Sequence, residues 1–104
     1  MFIFLLNIDS YEVLPRYRST YYSHIFSGGY SAGYYSYLWS EVLDADTFNA
    51  FKKTGDIFNK ELAIKYRAML AAGGSKSGMD LYKDFIGRDP KITPLLIKKG
   101  FLKE

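Results

Sequence analysis

The chain has no cysteine and only one histidine among its 104 residues. Without cysteine there is no disulfide framework, no thiolate nucleophile, no Cys–His dyad and no cysteine-ligated zinc site. The absence fits a reducing compartment. A single histidine excludes the paired histidines of a zinc helix, so a catalytic zinc centre with three strong protein ligands cannot be assembled from this polypeptide. A Ser–His–acid triad is formally open, but no Gly-x-Ser-x-Gly elbow accompanies it, and "SGGYSAG" is not one. The glycines do not form a phosphate-binding loop. "GGYSAG" lacks the preceding strand and following acid of a dinucleotide fingerprint. Long hydrophobic runs are missing too. The opening "MFIFLLNIDS" is apolar for only about six residues, against the roughly 20 needed to cross a bilayer. It carries no basic leader and no small-residue cleavage site, so it reads as a short strand or a frayed apolar end rather than an anchor.

Charge is modest and unevenly placed. The net charge is +3. Up to Ala45 the basic residues are Arg16 and Arg18, against Asp9, Glu12, Glu41 and Asp44. The basic excess lies beyond Asp46, spread along expected helices as at Lys52-Lys53 and Lys98-Lys99. A nucleic-acid surface would interleave such residues with exposed aromatics. Here aromatic and basic residues lie largely in different halves, so no nucleic-acid partner is expected, and the basic face reads as solvated surface.

What the chain does have is tyrosine, 10 of them, with 8 phenylalanines. From Ser19 to Ser40 there is no Asp, Glu, Lys or Arg. Overlapping that run, "SHIFSGGYSAGYYSYLWSEV" holds the histidine, the tryptophan and Tyr30, Tyr34, Tyr35 and Tyr37. Before Tyr30, "EVLPRYRSTYYSHIF" is rich in β-formers, is interrupted by Pro15 and reads as extended or irregular. Gly28 and Gly29 give freedom just ahead of "YSAGYYSYLWSEVL", whose apolar residues surround nearly the whole helical circumference, as in a buried helix. Asp44 or Asp46 would cap a short helix through Phe48 and Phe51, ended by Gly55. Asn59 would cap the next, with Leu62, Tyr66, Met69 and Leu70 on one stripe and Gly73-Gly74 as its stop. Ser77 with Asp80 resembles a capping box opening a helix through Leu81, Tyr82, Phe85 and Ile86. Asp89-Pro90 breaks the chain. Thr93 reads as an N-cap followed by Pro94, and Gly100 ends the last helix. The expectation is a mainly α fold of a single segment. Residues 1–29 would form an extended N-terminal arm and Gly-Gly loop, and residues 30–104 several short helices.

On a helix starting at Tyr30, at about 100° per residue, Tyr34, Tyr37 and Glu41 fall within roughly 40° of it. The tyrosines would line one stripe ending in a carboxylate. Phenols donate hydrogen bonds to oxyanions without titrating at neutral pH, so such a row suits stabilising a tetrahedral intermediate. The same tyrosines could equally be core or interface residues, and His24 a structural or surface one. The residues themselves leave that open, and with it an alternative function: a small non-enzymatic helical module that binds a peptide or a partner protein through the tyrosine face.

"RYRSTYYSHIFSGGYSAGYYSYLWSEVLDADTF" resembles the C-terminal part of zinc metallopeptidases of the thimet oligopeptidase and peptidyl-dipeptidase family. The likeness is greatest to the bacterial peptidyl-dipeptidase branch. It continues through "FNKELAIKYRAMLAAGGS", "LYKDFIGRDP" and "LLIKKGFL", covering roughly Glu12 to Leu102. The resemblance implies that the chain is a C-terminal piece of a larger all-α catalytic domain. It implies that His24 contacts substrate near the scissile bond, that Tyr30 and Tyr37 hydrogen-bond substrate or the tetrahedral intermediate, and that Tyr34 lines the cleft. Gly28 and Gly29 would belong to a loop closing over substrate. The expected partners are short peptides. The family's His-Glu-x-x-His helix and further zinc-binding glutamate lie upstream of the matching region, so zinc is expected in a parent enzyme and no metal ligand in this chain. The chain alone is expected to be a fragment, engineered or naturally truncated, that is inactive by itself and prone to self-association through an exposed apolar face. A cytoplasmic location is expected, or a periplasmic one for the parent.

Overall fold

The computed structural model describes residues 18–103. The strand or frayed end expected over Met1–Ser10, and the interruption at Pro15, lie outside the described residues. Every regular element among the described residues is helical. Contacts divide the chain into two units, one up to Ser36 and one from Tyr37.

In the first unit the chain winds through three 3-10 turns, Ser19–Tyr21, Ser23–Ile25 and Gly28–Tyr30. Ile25 N–H donates to the Tyr22 carbonyl at 3.2 Å and Phe26 N–H to that of Ser23 at 2.9 Å, which closes the second turn. Gly28 has φ +66°, a left-handed conformation that glycine adopts without penalty. Residues 31–35 are hydrogen-bonded turns rather than helix, with Gly33 N–H on the Tyr30 carbonyl and Ser36 N–H on that of Gly33.

The helix expected from Tyr30 therefore begins six residues later. Helix α1 is Ser36–Lys53. The apolar pattern extends further back, but Ala32 at φ +55° cannot belong to a right-handed helix, and three nearby glycines weaken helix formation. The helix also passes straight through Asp44 and Asp46, neither of which caps anything. One long helix replaces two short ones, because Asp46 finds its hydrogen bonds in tertiary contacts. Val42, Ala45 and Asp46, at i, i+3 and i+4, form its buried face. Lys52 and Lys53 suit its negative C-terminal end. Gly55, at φ +77°, ends it as expected.

Helix α2, Lys60–Ala72, is capped by Asn59, whose side-chain oxygen accepts from Leu62 N–H at 2.9 Å. Its stripe is narrower than expected: Leu62, Tyr66 and Met69 are half-buried, while Leu70 is exposed. Gly73 stops it, donating its N–H to the Leu70 carbonyl. Helix α3, Gly78–Ile86, begins at the Ser77 cap. Ser77 Oγ accepts from Asp80 N–H at 3.1 Å and donates to Asp80 Oδ2 at 2.6 Å. α3 packs against α2. The Tyr66 ring lies 5.5 Å from that of Phe85 and 6.2 Å from that of Phe51.

Helix α4, Thr93–Lys98, starts one residue earlier than its Thr-Pro signal suggests. Ile92 is the N-cap, Thr93 makes no capping bond, and Pro94 sits inside the first turn, where its missing N–H costs nothing. Leu95 packs with Val42 and Ala45 in the buried cluster. Two ion pairs cross from α1, Glu41–Lys99 at 2.7 Å and Asp44–Lys98 at 3.2 Å. All four side chains keep substantial exposure, so each pair contributes at most about 1 kcal/mol.

Candidate functional site

The first unit gathers three of the expected site residues. His24, in the second 3-10 turn, has its ring edge-on to Tyr30, with centroids 4.6 Å apart and planes at 89°. It meets Tyr34 in the same manner at 5.4 Å and 72°. Edge-to-face contact directs the positive edge of one ring at the negative face of the other, and such pairs contribute about 0.5–1.5 kcal/mol beyond area burial. The two rings meet across six positions of sequence that include the start of the turn Gly28–Tyr30. A Cβ at Gly28 or Gly29 would meet nothing within 4 Å, so space is not what selects glycine at Gly28. Backbone conformation is.

Tyr22 is a fourth member that the sequence reading missed. Its hydroxyl donates to the Tyr34 hydroxyl, and the two rings meet edge-on at 5.4 Å. The available signal was the charge-free run from Ser19, which includes Tyr22, but nothing in the spacing singled it out. Tyr37 belongs to the second unit, in the first turn of α1, and is 46% exposed. The single helix that the stripe through Tyr30, Tyr34, Tyr37 and Glu41 presupposes is not there, because residues 31–35 are turns. Only Tyr37 and Glu41, at i and i+4, share a face of α1.

The other polar constellation is in the second unit and is structural. Asp46 is 0% exposed. It accepts two bonds from Arg88, at 2.7 and 2.8 Å, one from the Tyr82 hydroxyl at 2.8 Å and one from Lys91 N–H at 3.0 Å. Burial opposes the carboxylate charge. The Arg88, Lys91 and Tyr82 hydrogen bonds more than offset that and hold its pKa below the ordinary value. Burial, and then the bond to Asp46, push the Tyr82 phenol up to about 12. An open groove runs between α1 and α4 past Phe48, Pro94 and Ile97, with the Asp44–Lys98 pair on its rim. It holds none of the expected site residues.

Chemically, the first cluster offers phenol and imidazole donors on a short turn-rich loop, groups that can bind a carbonyl or an oxyanion. Among the described residues no three His, Asp or Glu side chains come together to hold an ion, and the sequence has one histidine and no cysteine. That donor set does not fit a zinc centre of three protein ligands.

Comparison with known proteins agrees on one family. The chain is 42% identical over 95 residues to the dipeptidyl carboxypeptidase of Escherichia coli K12, a match covering 90% of this chain and 14% of that protein. It is 51% identical over 80 residues to oligopeptidase A of the same organism, covering 76% of this chain and 12% of that protein. Saccharolysin of Saccharomyces cerevisiae is 43% identical over 84 residues, covering 80% of this chain and 11% of that protein. The chain thus spans 14% or less of the length of these relatives. The pattern of peptidase family M3 matches residues 7–101, most of the chain, and the chain belongs to that family.

Proposed function

We infer that this segment is the substrate-contacting, transition-state-stabilising part of a metallopeptidase that hydrolyses short peptides. The observation that carries the reading is the His24–Tyr30–Tyr34 cluster, three donors brought together by the Gly28–Tyr30 turn. In this reading His24, Tyr30 and Tyr37 donate hydrogen bonds to the scissile carbonyl and to the oxyanion that replaces it. Tyr34, Gly28 and Gly29 line the peptide's path. Donors fixed before the reaction stabilise developing charge without reorganising, and loss of one typically costs about 100- to 1,000-fold in rate. The names of the relatives, a carboxypeptidase and an oligopeptidase, support peptides as the substrate class. Zinc, with the general base, would be held by residues outside this chain, and none of the roles assigned here passes through a metal. A cytoplasmic setting and self-association through the exposed Leu38 and Trp39 side chains complete the reading. A monodisperse monomer by light scattering would remove that last element.

A chimera tests the assignment. Residues 12–102 of this chain replace the matching stretch of oligopeptidase A from Escherichia coli, and hydrolysis of a short peptide is followed. The chimera should be active, and Tyr37→Phe or Tyr30→Phe within it should lower kcat by about 100-fold or more with little change in KM. Unchanged kcat in both variants would sink the donor roles. The 104-residue chain by itself should neither bind zinc stoichiometrically nor cleave peptides. Chelator-sensitive hydrolysis that Tyr37→Phe abolishes would overturn that.

A further inference from the structure

The loop bearing His24 and Tyr30 is closed at its two ends by one side-chain contact. Tyr22 stands immediately before it and Tyr34 immediately after. Their hydroxyls are hydrogen-bonded across twelve positions of sequence, and their rings pack edge-on. Both are half-buried, which distinguishes them from the exposed Tyr21 and Tyr35 beside them. The backbone of Tyr22 is held as well, because its carbonyl accepts from Ile25 N–H at 3.2 Å. Between the two tyrosines run the second 3-10 turn, Gly28, Gly29 and Tyr30, a span within the size of compact surface loops whose ends lie close together.

We propose that Tyr22 is a positioning residue: with Tyr34 it forms a clasp that closes this loop and sets the ring of His24 against Tyr30. The physical reasons are two. Closing such a loop carries an entropic cost that a cross-loop contact offsets. Tyr34 is also the middle of a chain of contacts, holding Tyr22 on one side and His24 on the other, so what fixes Tyr34 fixes His24. The clasp's purpose, presenting donors to a bound peptide, rests on the function proposed above. Its existence does not.

The test uses the whole chain in three variants, Tyr22→Phe, Tyr34→Phe and the double. Each keeps both rings and removes only hydroxyls, so folding is preserved. His24 ring resonances and amide exchange across residues 23–33 are followed by NMR. Either single variant should raise exchange in the loop by about tenfold, the equilibrium worth of one hydrogen bond, and shift the His24 ring signals. The double should match the singles, because one bond is lost in all three. Exchange and His24 signals unchanged in Tyr22→Phe, or two single effects that simply add, would overturn the clasp. Tetra-alanine titrated into the wild-type chain separates the two ideas. His24 signals should move on addition, and about three- to tenfold weaker binding is expected in Tyr22→Phe. A wild-type chain whose His24 ignores the peptide would refute the substrate reading, while the exchange data decide the clasp on their own.

Discussion

Arg88 grips Asp46 with both ends of its guanidinium, Nη1 on Oδ2 at 2.7 Å and Nη2 on Oδ1 at 2.8 Å, across 42 positions of sequence. Planar two-point pairing is specific to arginine. The Asp46 side chain is fully enclosed and that of Arg88 is 31% exposed, so removing the arginine strands a charge that cannot reach water. Arg88→Met should therefore destabilise the chain by about 3 kcal/mol, the low end of the range for breaking a buried pair, since Arg88 is not wholly enclosed. Arg88→Lys should recover only part of that. Urea unfolding of the three proteins checks both, and a loss below about 1 kcal/mol for Arg88→Met would contradict the account.

The same carboxylate gives stability an acid limit. The Asp46 pKa is below 3.8 in the folded chain, so folding is favoured by its ionised form. That contribution is complete above the unfolded value, near 4, and is lost as pH falls through the folded one. Asp46→Asn should lower stability at pH 7 and make what remains less sensitive to acid as pH falls below about 4. Tyr82 sets an alkaline limit. Its pKa of about 12 against 10.0 means that folding favours the neutral phenol. Its contribution is complete below pH 10 and disappears as pH rises toward 12, on the order of 2–3 kcal/mol in all. Urea midpoints measured from pH 9 to 12 should fall more steeply in the parent chain than in Tyr82→Phe.

These groups show why some features are legible in sequence and others are not. Asn59, Ser77, Gly55 and Gly73 act within four residues of themselves, so their roles can be read locally. Asp46 looks like a cap because an isolated acid before an apolar pattern reads as one. Its partners lie 36 to 45 positions away and leave no local trace. The start of α1 is misread for a related reason: an apolar pattern reports which side chains avoid water, not the sign of φ at Ala32. In the candidate site the resemblance points to His24, Tyr30 and Tyr34, which do come together. The wheel that joined them to Tyr37 assumed helix where the chain makes turns, and Tyr22 enters only through a contact spanning the loop.

The capping assignments give a graded expectation. Asn59→Ala and Ser77→Ala each remove an acceptor for a backbone N–H at a helix start, and each should cost about 1 kcal/mol. Thr93→Ala should cost much less, because Thr93 lies inside α4 and caps nothing. Thermal unfolding of the three variants distinguishes this order from the one that the Thr-Pro signal alone would suggest, in which Thr93→Ala would rank with the other two.

Two small substitutions in the candidate loop should act in opposite senses. Gly28 has φ +66° with open space where a Cβ would go, so Gly28→Ala meets no clash. Its cost is purely conformational, about 1–2 kcal/mol for an L-residue in the left-handed region. Ala32 already bears that strain at φ +55°. Ala32→Gly relieves it, while the greater freedom of glycine in the unfolded chain offsets most of the gain. The loop should therefore loosen in the first variant and hold or tighten in the second. Amide exchange across residues 23–33 is the readout, with His24–Tyr30 ring contacts from NMR as the second. Faster exchange in Ala32→Gly than in Gly28→Ala would mean that the turn does not rest on these two backbone conformations, and that its shape is set by the aromatic rings instead.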